Sequence, residues 1–588
     1  MCYLRKDNTF GGEIQVLIDV KNKIKVYVDG ALPLISAICE KINLTKIIDS
    51  KIDVSDERRV STGNAVKSIV MNIIAGRKPL YKLTRFYEKT DTEKLFGQGI
   101  MPNHLNDDVM ARALDEVYEI GAKKVMTEVA MSIINEYNIP VTRIHADTTS
   151  KSVFGEYADC EEDEELLQIK YGYSKDKRPD LKQILFGLGV THERIVVIGN
   201  VDDGNKSDKD WNKDILKDLR TTMKVYGLKD FVYIADSACV TEEMLKRLEG
   251  SEENSELQIK FISRLPGSYR LEKELKLKAI EDMKKWECAG KFSNKENAAE
   301  YKVQSYVHEL YGRNYRFVVC SSNELGKRKE KTLKSNIENE KVKAKKRIKE
   351  LRSREFYCEK DAIEEYKIIE KEMKLNYHEL TYKIEKIEKK AKRSCVGRPS
   401  KYEHQQVESI FRLEINIYED DVKIKRNKEI NGMFVLITNN LDEGNMTNMQ
   451  VLKEYKGQSS VETSFNFLKD PSFMDELFVK YPERLEALAY LMIIALMIMT
   501  LLERTVRENL KGESERIMTA GNVRTYTPTG KAIIETLDQI QVIKIYNEQN
   551  NCWERFCEIE DNLKRLIQLS GFGEEIYTSC HKVPKCLV

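Results

Sequence analysis

Three carboxylates stand out by their setting. Asp147 lies inside an apolar, β-branched stretch, IHADTTS, and Asp236 closes another, YIADSA. Both follow runs that read as strands, so both stand where burial begins. A buried carboxylate is costly unless it is paired or bound to a cation, and two that meet repel unless a divalent ion neutralises them. Oxygen donors of this kind suit Mg²⁺ or Mn²⁺. The third acid, Glu462, sits in YKGQSSVETSFNFLKD, residues 455–470, where Val461, Phe465 and Leu468 fall at i, i+4 and i+7 on one apolar stripe. A helix docked by that stripe presents Glu462, and Lys469 two turns further on, along the edge of its buried face. Asp147, Asp236 and Glu462 are therefore the candidate metal ligands and catalytic residues. An aspartate after a strand is more commonly a turn or cap residue, so the expectation rests on the three acids agreeing, not on any one.

The elements that must position them follow from periodicity. Residues 141–157 are strand-like, and 168–191 read as a strand, a turn over SKDKRPD and another strand; 194–201 are a further strand. A helix over 211–227 closes on Gly227, a buried strand spans 231–238, a helix capped by Thr241 spans 241–250, and a last strand spans 256–266. An antiparallel meander followed by crossover units predicts an α/β fold, a ribonuclease-H-like mixed sheet with helices on both faces. That layout sets the first and fourth strands side by side and brings Asp147 and Asp236 to one edge. The predicted organisation is a helical N-terminal region (1–140), the first part of the catalytic domain (141–270), an inserted region (271–450) with strands and a charged helical hairpin over 325–393, the Glu462-bearing completion (451–510), and a helical C-terminal region (511–588).

Bulk composition narrows the class. The chain has 588 residues, 41% hydrophobic and 33% charged, as expected of a water-soluble globular protein. Its 97 basic and 96 acidic residues nearly cancel, so any nucleic-acid surface must be a local patch. Twelve cysteines without a CxxC spacing point to reduced thiols in a cytoplasmic protein, and the tail with Cys580, His581 and Cys586 lacks the ligands of a zinc site. The uncharged stretch 487–502 is short for a membrane span and reads as a buried core helix. Two basic groups could meet phosphates or simply be solvated: Arg77, Lys78, Lys82 and Arg85, and the turn with Lys175, Lys177, Arg178 and Lys182. Asp202, Asp203, Asp208 and Asp210 read as a solvated acidic connection.

The chain resembles insertion-sequence transposases of the DDE type, the IS-four-like group with a Tyr-x2-Arg-x3-Glu-x6-Lys signature. Tyr455, Gln458, Glu462 and Lys469 stand at those spacings, with glutamine in the arginine's place. IHADTTS, IKYGYSKDKRPDLKQ, GNVDDGNKSDKDW and IADSACV extend the likeness over roughly residues 10–505. The resemblance implies a two-metal Mg²⁺ or Mn²⁺ site on Asp147, Asp236 and Glu462 that cleaves element ends and transfers a strand into target DNA. It further implies double-stranded DNA as partner, a homodimer on paired ends, and a site in the prokaryotic cytoplasm. Lys469 would hold a phosphate near the scissile bond, Tyr455 would contact backbone or base, and Gln458 leaves in question the phosphate contact made by arginine. The alternatives are a non-catalytic DNA-binding protein of transposase descent, a plain metal-dependent nuclease, and a protein anchored to a membrane by 487–502.

Overall fold

A computed structural model describes residues 23–53, 58–76, 78–155, 157, 166–250, 258–292, 298–390, 407–470, 479–547 and 552–578. Arg77 and the tail with Cys580, His581 and Cys586 lie outside the described residues. The chain divides into two compact units, Met1–Ile262 with Glu454–Val588, and Ser263–Lys453.

The first unit is built on a mixed sheet. Its strands are β1 (Arg143–Val153), β2 (Lys182–Val190), β3 (Val196–Asp203) and β4 (Val232–Ala235), followed by β5 (Lys260–Arg264), of which Lys260–Ile262 lie in this unit, in the order β3-β2-β1-β4-β5. The first three are antiparallel; β4 runs parallel to β1, with Arg143 opposite Val232 and Ala146 opposite Ala235. The first and fourth strands of the meander-and-crossover pattern are thus neighbours, as periodicity predicts. The strand predicted near 168–173 reduces to a single bridge, Lys170 to Gln183, because Tyr171 and Tyr173 face solvent and bury against nothing.

Helices cover both faces of this sheet. On one side lies α1 (Asp208–Tyr226), capped by Ser207 and closed by Gly227 at φ 69°. Its Trp211 fills the space left by Gly187, where a Cβ would fall 1.8 Å from the indole Nε1. After α2 (Glu242–Glu249) and beyond the second unit come α3 (Ser459–Lys469) and α4 (Pro482–Leu510). Ile493 of α4 and Met126 approach Gly199 of β3. By length and composition α4 is able to cross a membrane, yet 94% of its most apolar 18-residue window is buried inside the protein. It behaves as a core helix.

The C-terminal region, expected to be helical, contains strands at Ile517–Thr519, Val523–Thr525, Gln541–Asn547 and Cys552–Phe556. The Gln541–Asn547 strand pairs antiparallel with Ile24–Val28 from the other end of the chain. That distant partner is why its short alternating pattern reads poorly in sequence. Beneath this sheet Arg555 is buried, donating to Asp29 at 2.5 Å and to Asp91, while Lys544 lies 3.1 Å from Glu93.

In the second unit, Met433–Thr438, Arg313–Ser322, Glu300–Leu310 and Glu287–Lys291 form consecutive antiparallel strands. The stretch 325–393 is expected to be a helical hairpin; residues 391–393 lie outside the described residues, and among the described ones the helices are Asn323–Arg352 and Glu359–Met373. His378–Lys390 is instead a strand paired in register with Val407–Glu419. Leu380 joins Leu413, Ile415, Ile348 and Ile369 in a small core, with Ile384 packed against it. The period of two in Leu380, Tyr382 and Ile384 decides this against the surrounding Lys and Glu.

Replacing Arg555 by methionine leaves Asp29 and Asp91 buried without their shared cation. Urea unfolding should show a loss of about 3–5 kcal/mol; a loss below about 1 kcal/mol would show that the cluster carries no such charge coupling.

Candidate active site

Strand alternation puts His145, Asp147 and Thr149 on one face of β1 and Thr148 on the other. Asp147 accepts the Thr148 N–H at 2.7 Å. Asp236 follows the last residue of β4 and accepts the Ala238 N–H at 3.1 Å. Burial pushes the Asp147 carboxyl up to about 6; Lys175 and the Thr148 N–H oppose the rise, and the charges of Asp236 and Asp208 add to it. Asp236 is also pushed up, first by burial and then by Asp208. The two predicted acids therefore share one electrostatic environment.

Asp208 joins them from the first turn of α1. Its Oδ1 accepts the Thr148 hydroxyl at 2.5 Å and lies 3.6 Å from Lys175 Nζ. The Lys175 ammonium in turn donates to the Thr148 carbonyl and hydroxyl oxygens, each at 2.8 Å. Lys175 thus turns in toward the acids and supplies their local counter-charge. Periodicity alone reads Asp208 as solvated; the signal that places it is Ser207, which caps α1 and sets the next residue in its first turn.

α3 packs across β1 and β2 by the predicted stripe, with Val461, Phe465 and Leu468 buried. The helix does not run unbroken from Tyr455. A preceding helix, Asn448–Lys456, carries Tyr455, and the helical run is interrupted at Gly457 and Gln458, the latter the N-cap of α3. Gly457 lies on His145: a Cβ there would fall 2.9 Å from the imidazole Cε1. At the far end Lys469 Nζ donates to Asp176 at 2.5 Å, next to Lys175. α3 therefore lies along β1 on the face of Asp147, with Glu462 exposed between its two anchored ends.

Among the described residues no three His, Cys, Asp or Glu side chains stand close enough to hold a metal ion. The structure brings Asp147 and Asp236 together and leaves Glu462 on the helix that covers their strand. Of the predicted DNA contacts, Tyr455 and Gln458 are half-buried at the helix break and Lys469 is held by Asp176. Lys177 and Arg178 are exposed, Arg178 paired with Asp180 at 2.7 Å, and Lys182 begins β2 half-buried. His145 is buried; burial, then His192 and Arg143, lower its pKa to about 4, so it stays neutral at neutral pH.

A family profile described as a domain of unknown function, DUF4277, matches residues 24–131. No curated protein sequence matches the chain. Among solved structures, a cryo-EM structure of the piggyBac transposase synaptic complex with hairpin DNA aligns over 86% of this chain and 79% of its own, at 10% identity and a TM-score of 0.35. A likeness of that size establishes neither a shared fold nor a shared activity.

Because the folded pKa of Asp147, about 6, lies above its ordinary 3.8, the folded state loses stability as pH rises through that window and the half-buried carboxyl ionises. In EDTA, Asp147→Asn should therefore be more stable than wild type at pH 7.5, by up to about 2–3 kcal/mol, and no more stable at pH 4. Thermal unfolding at the two pH values checks this; a difference independent of pH would remove ionisation as its cause.

Proposed function

We propose that this chain is a DNA transposase of a bacterial-type insertion sequence, a DDE enzyme that cleaves the ends of its element and joins them to target DNA. The observation that carries the reading is the Asp147–Asp236 pair at neighbouring strands, roofed by the helix that bears Glu462 and is pinned by Lys469. The ribonuclease-H-like reading of the sheet rests on the strand order β3-β2-β1-β4-β5, with β1 and β4 parallel. The insertion-sequence assignment rests on the motifs from IHADTTS to the Tyr455–Lys469 signature.

Two half-buried carboxylates, both pushed up by burial and by Asp208, with Asp236 adding to the rise at Asp147, are hard oxygen donors, and they fit a divalent cation in type and charge. Asp147 and Asp236 would hold Mg²⁺ or Mn²⁺, with Glu462 as the third ligand. When bound, such ions supply charge neutralisation and Lewis acidity for in-line phosphoryl transfer. The remaining work belongs to the chain. Thr148 and Lys175 fix Asp208 and the strand edge beside the acids. Lys469, released from Asp176, reaches a phosphate next to the scissile bond, and Tyr455 and Gln458 meet the backbone at the start of α3. Exposed Lys177 and Arg178, with Lys182, add a salt-dependent attraction for double-stranded DNA. Two element ends would be processed by two copies, a homodimer in the prokaryotic cytoplasm.

Asp147→Asn, Asp236→Asn and Glu462→Gln should each reduce Mg²⁺-dependent nicking of element-end DNA to background while leaving end binding largely intact. Any one that still nicks leaves the triad. Joining of labelled ends to a plasmid separates a transposase from a nuclease that only cuts.

A further inference from the structure

A cleft of about 730 Å³ opens in the first unit at the N-terminal end of α3. Its walls are the turn between β2 and β3, the first turn of α3 and the last turns of α4. Ser460 faces this cleft at 8% exposure, and its buried hydroxyl has no hydrogen-bond partner. Gln458, at the N-cap position, makes no capping hydrogen bond. The Ser460 and Val461 N–H groups already donate to the Gly457 and Gln458 carbonyls, at 2.9 and 3.2 Å, so what the start of α3 offers an anion is its partial positive charge and the unsatisfied hydroxyl.

The charge on the opposite wall is uneven. Glu503, 5% exposed, is gripped by both Arg194 and Arg507, and also accepts the Gly530 N–H at 3.0 Å. Arg504 donates to Glu193 at 2.6 Å, and Lys511 to Glu508 at 2.5 Å. Of the residues lining the cleft, Arg194, Arg504, Arg507 and Lys511 are cations and Glu193, Glu508 and Glu513 are carboxylates, with Glu503 set behind Arg194 and Arg507. The surplus is one positive charge, the complement of one phosphodiester.

We propose that this cleft is a phosphate subsite, in which Ser460 Oγ donates to a phosphate that also meets the start of α3 and the guanidinium wall of α4. Under the transposase reading, on which only this step rests, the phosphate belongs to the DNA backbone, and α4 supplies the charge that Gln458 lacks. Phosphate recognition by the cleft stands apart from that reading.

Two arms test it on the full chain, with wild type, Ser460→Ala, Arg504→Gln and Arg504→Lys. Thermal unfolding is followed in inorganic phosphate against chloride at equal ionic strength. Binding of a short DNA duplex is followed by anisotropy across salt. Phosphate should raise the wild-type melting temperature, with Ser460→Ala and Arg504→Gln responding less and Arg504→Lys partly restored. On DNA, Arg504→Gln should lower the slope of log K against log salt by about one. A phosphate response with an unchanged DNA slope assigns the subsite to free phosphate. A phosphate response in a wild type that does not bind DNA sinks the transposase reading and leaves the subsite. Equal phosphate responses in wild type and in folded Ser460→Ala and Arg504→Gln overturn the proposal.

Discussion

Two carboxylates of like charge, half-buried on neighbouring interior strands of a sheet, are the constraint around which the first unit is arranged. Burial alone pushes Asp147 toward its neutral form, and Asp236 and Asp208 push it further. Such a cluster survives in a fold only if surrounding structure holds it and some cation answers it. Both conditions are met by named groups. Trp211 seated on Gly187 locks α1, and with it Asp208, to the sheet. Lys175 reaches back from its loop to place an ammonium among the acids. The core helix α4 supplies the apolar burial that lets the molecule carry this local cost.

What was legible in the sequence was local and periodic. The Val461, Phe465 and Leu468 stripe, the Gly227 stop and the Thr241 cap all stand where the pattern puts them, because each depends on residues within a few positions. The adjacency of β1 and β4 was also legible, since meander and crossover rules leave few alternatives. The misreadings share a cause. Gln541–Asn547 pairs with a strand from the opposite end of the chain, and His378–Lys390 hides its alternation under Lys and Glu. In both, the deciding interaction is tertiary and leaves little trace in a short window.

The site shows the same division. Asp147, Asp236 and Glu462 could be singled out because acids in apolar settings demand explanation. Asp208 reads only as part of a solvated acidic loop and Lys175 only as one cation of a basic turn, because their settings are polar and their place beside the acids comes from what folds next to them. The basic turn shows how composition misleads. Its four cations look equivalent, yet Lys175 points inward to Thr148, Arg178 is taken by Asp180, and Lys177 faces solvent.

The position of α3 links these features. A chain can approach a strand closely where its side chains are small, and Gly457, at the start of α3, lies against His145 of β1, while Ser464 further along is buried. Ser464 satisfies its own hydroxyl on the Ser460 carbonyl at 3.1 Å, so it adds no unpaired polar group to the interface. Ser460 has no such partner, and Gly457 leaves no room for a side chain against His145. The same short stretch therefore sets how near Glu462 stands to the strand of Asp147 and opens the cleft behind it. A bulkier residue at 457 would have to move His145 or lift the N-terminal end of α3, and either motion would shift the acid and the cleft together. Coupling of this kind needs no distant relay: it follows from one helix being fixed at Gly457 by contact and at Lys469 by charge.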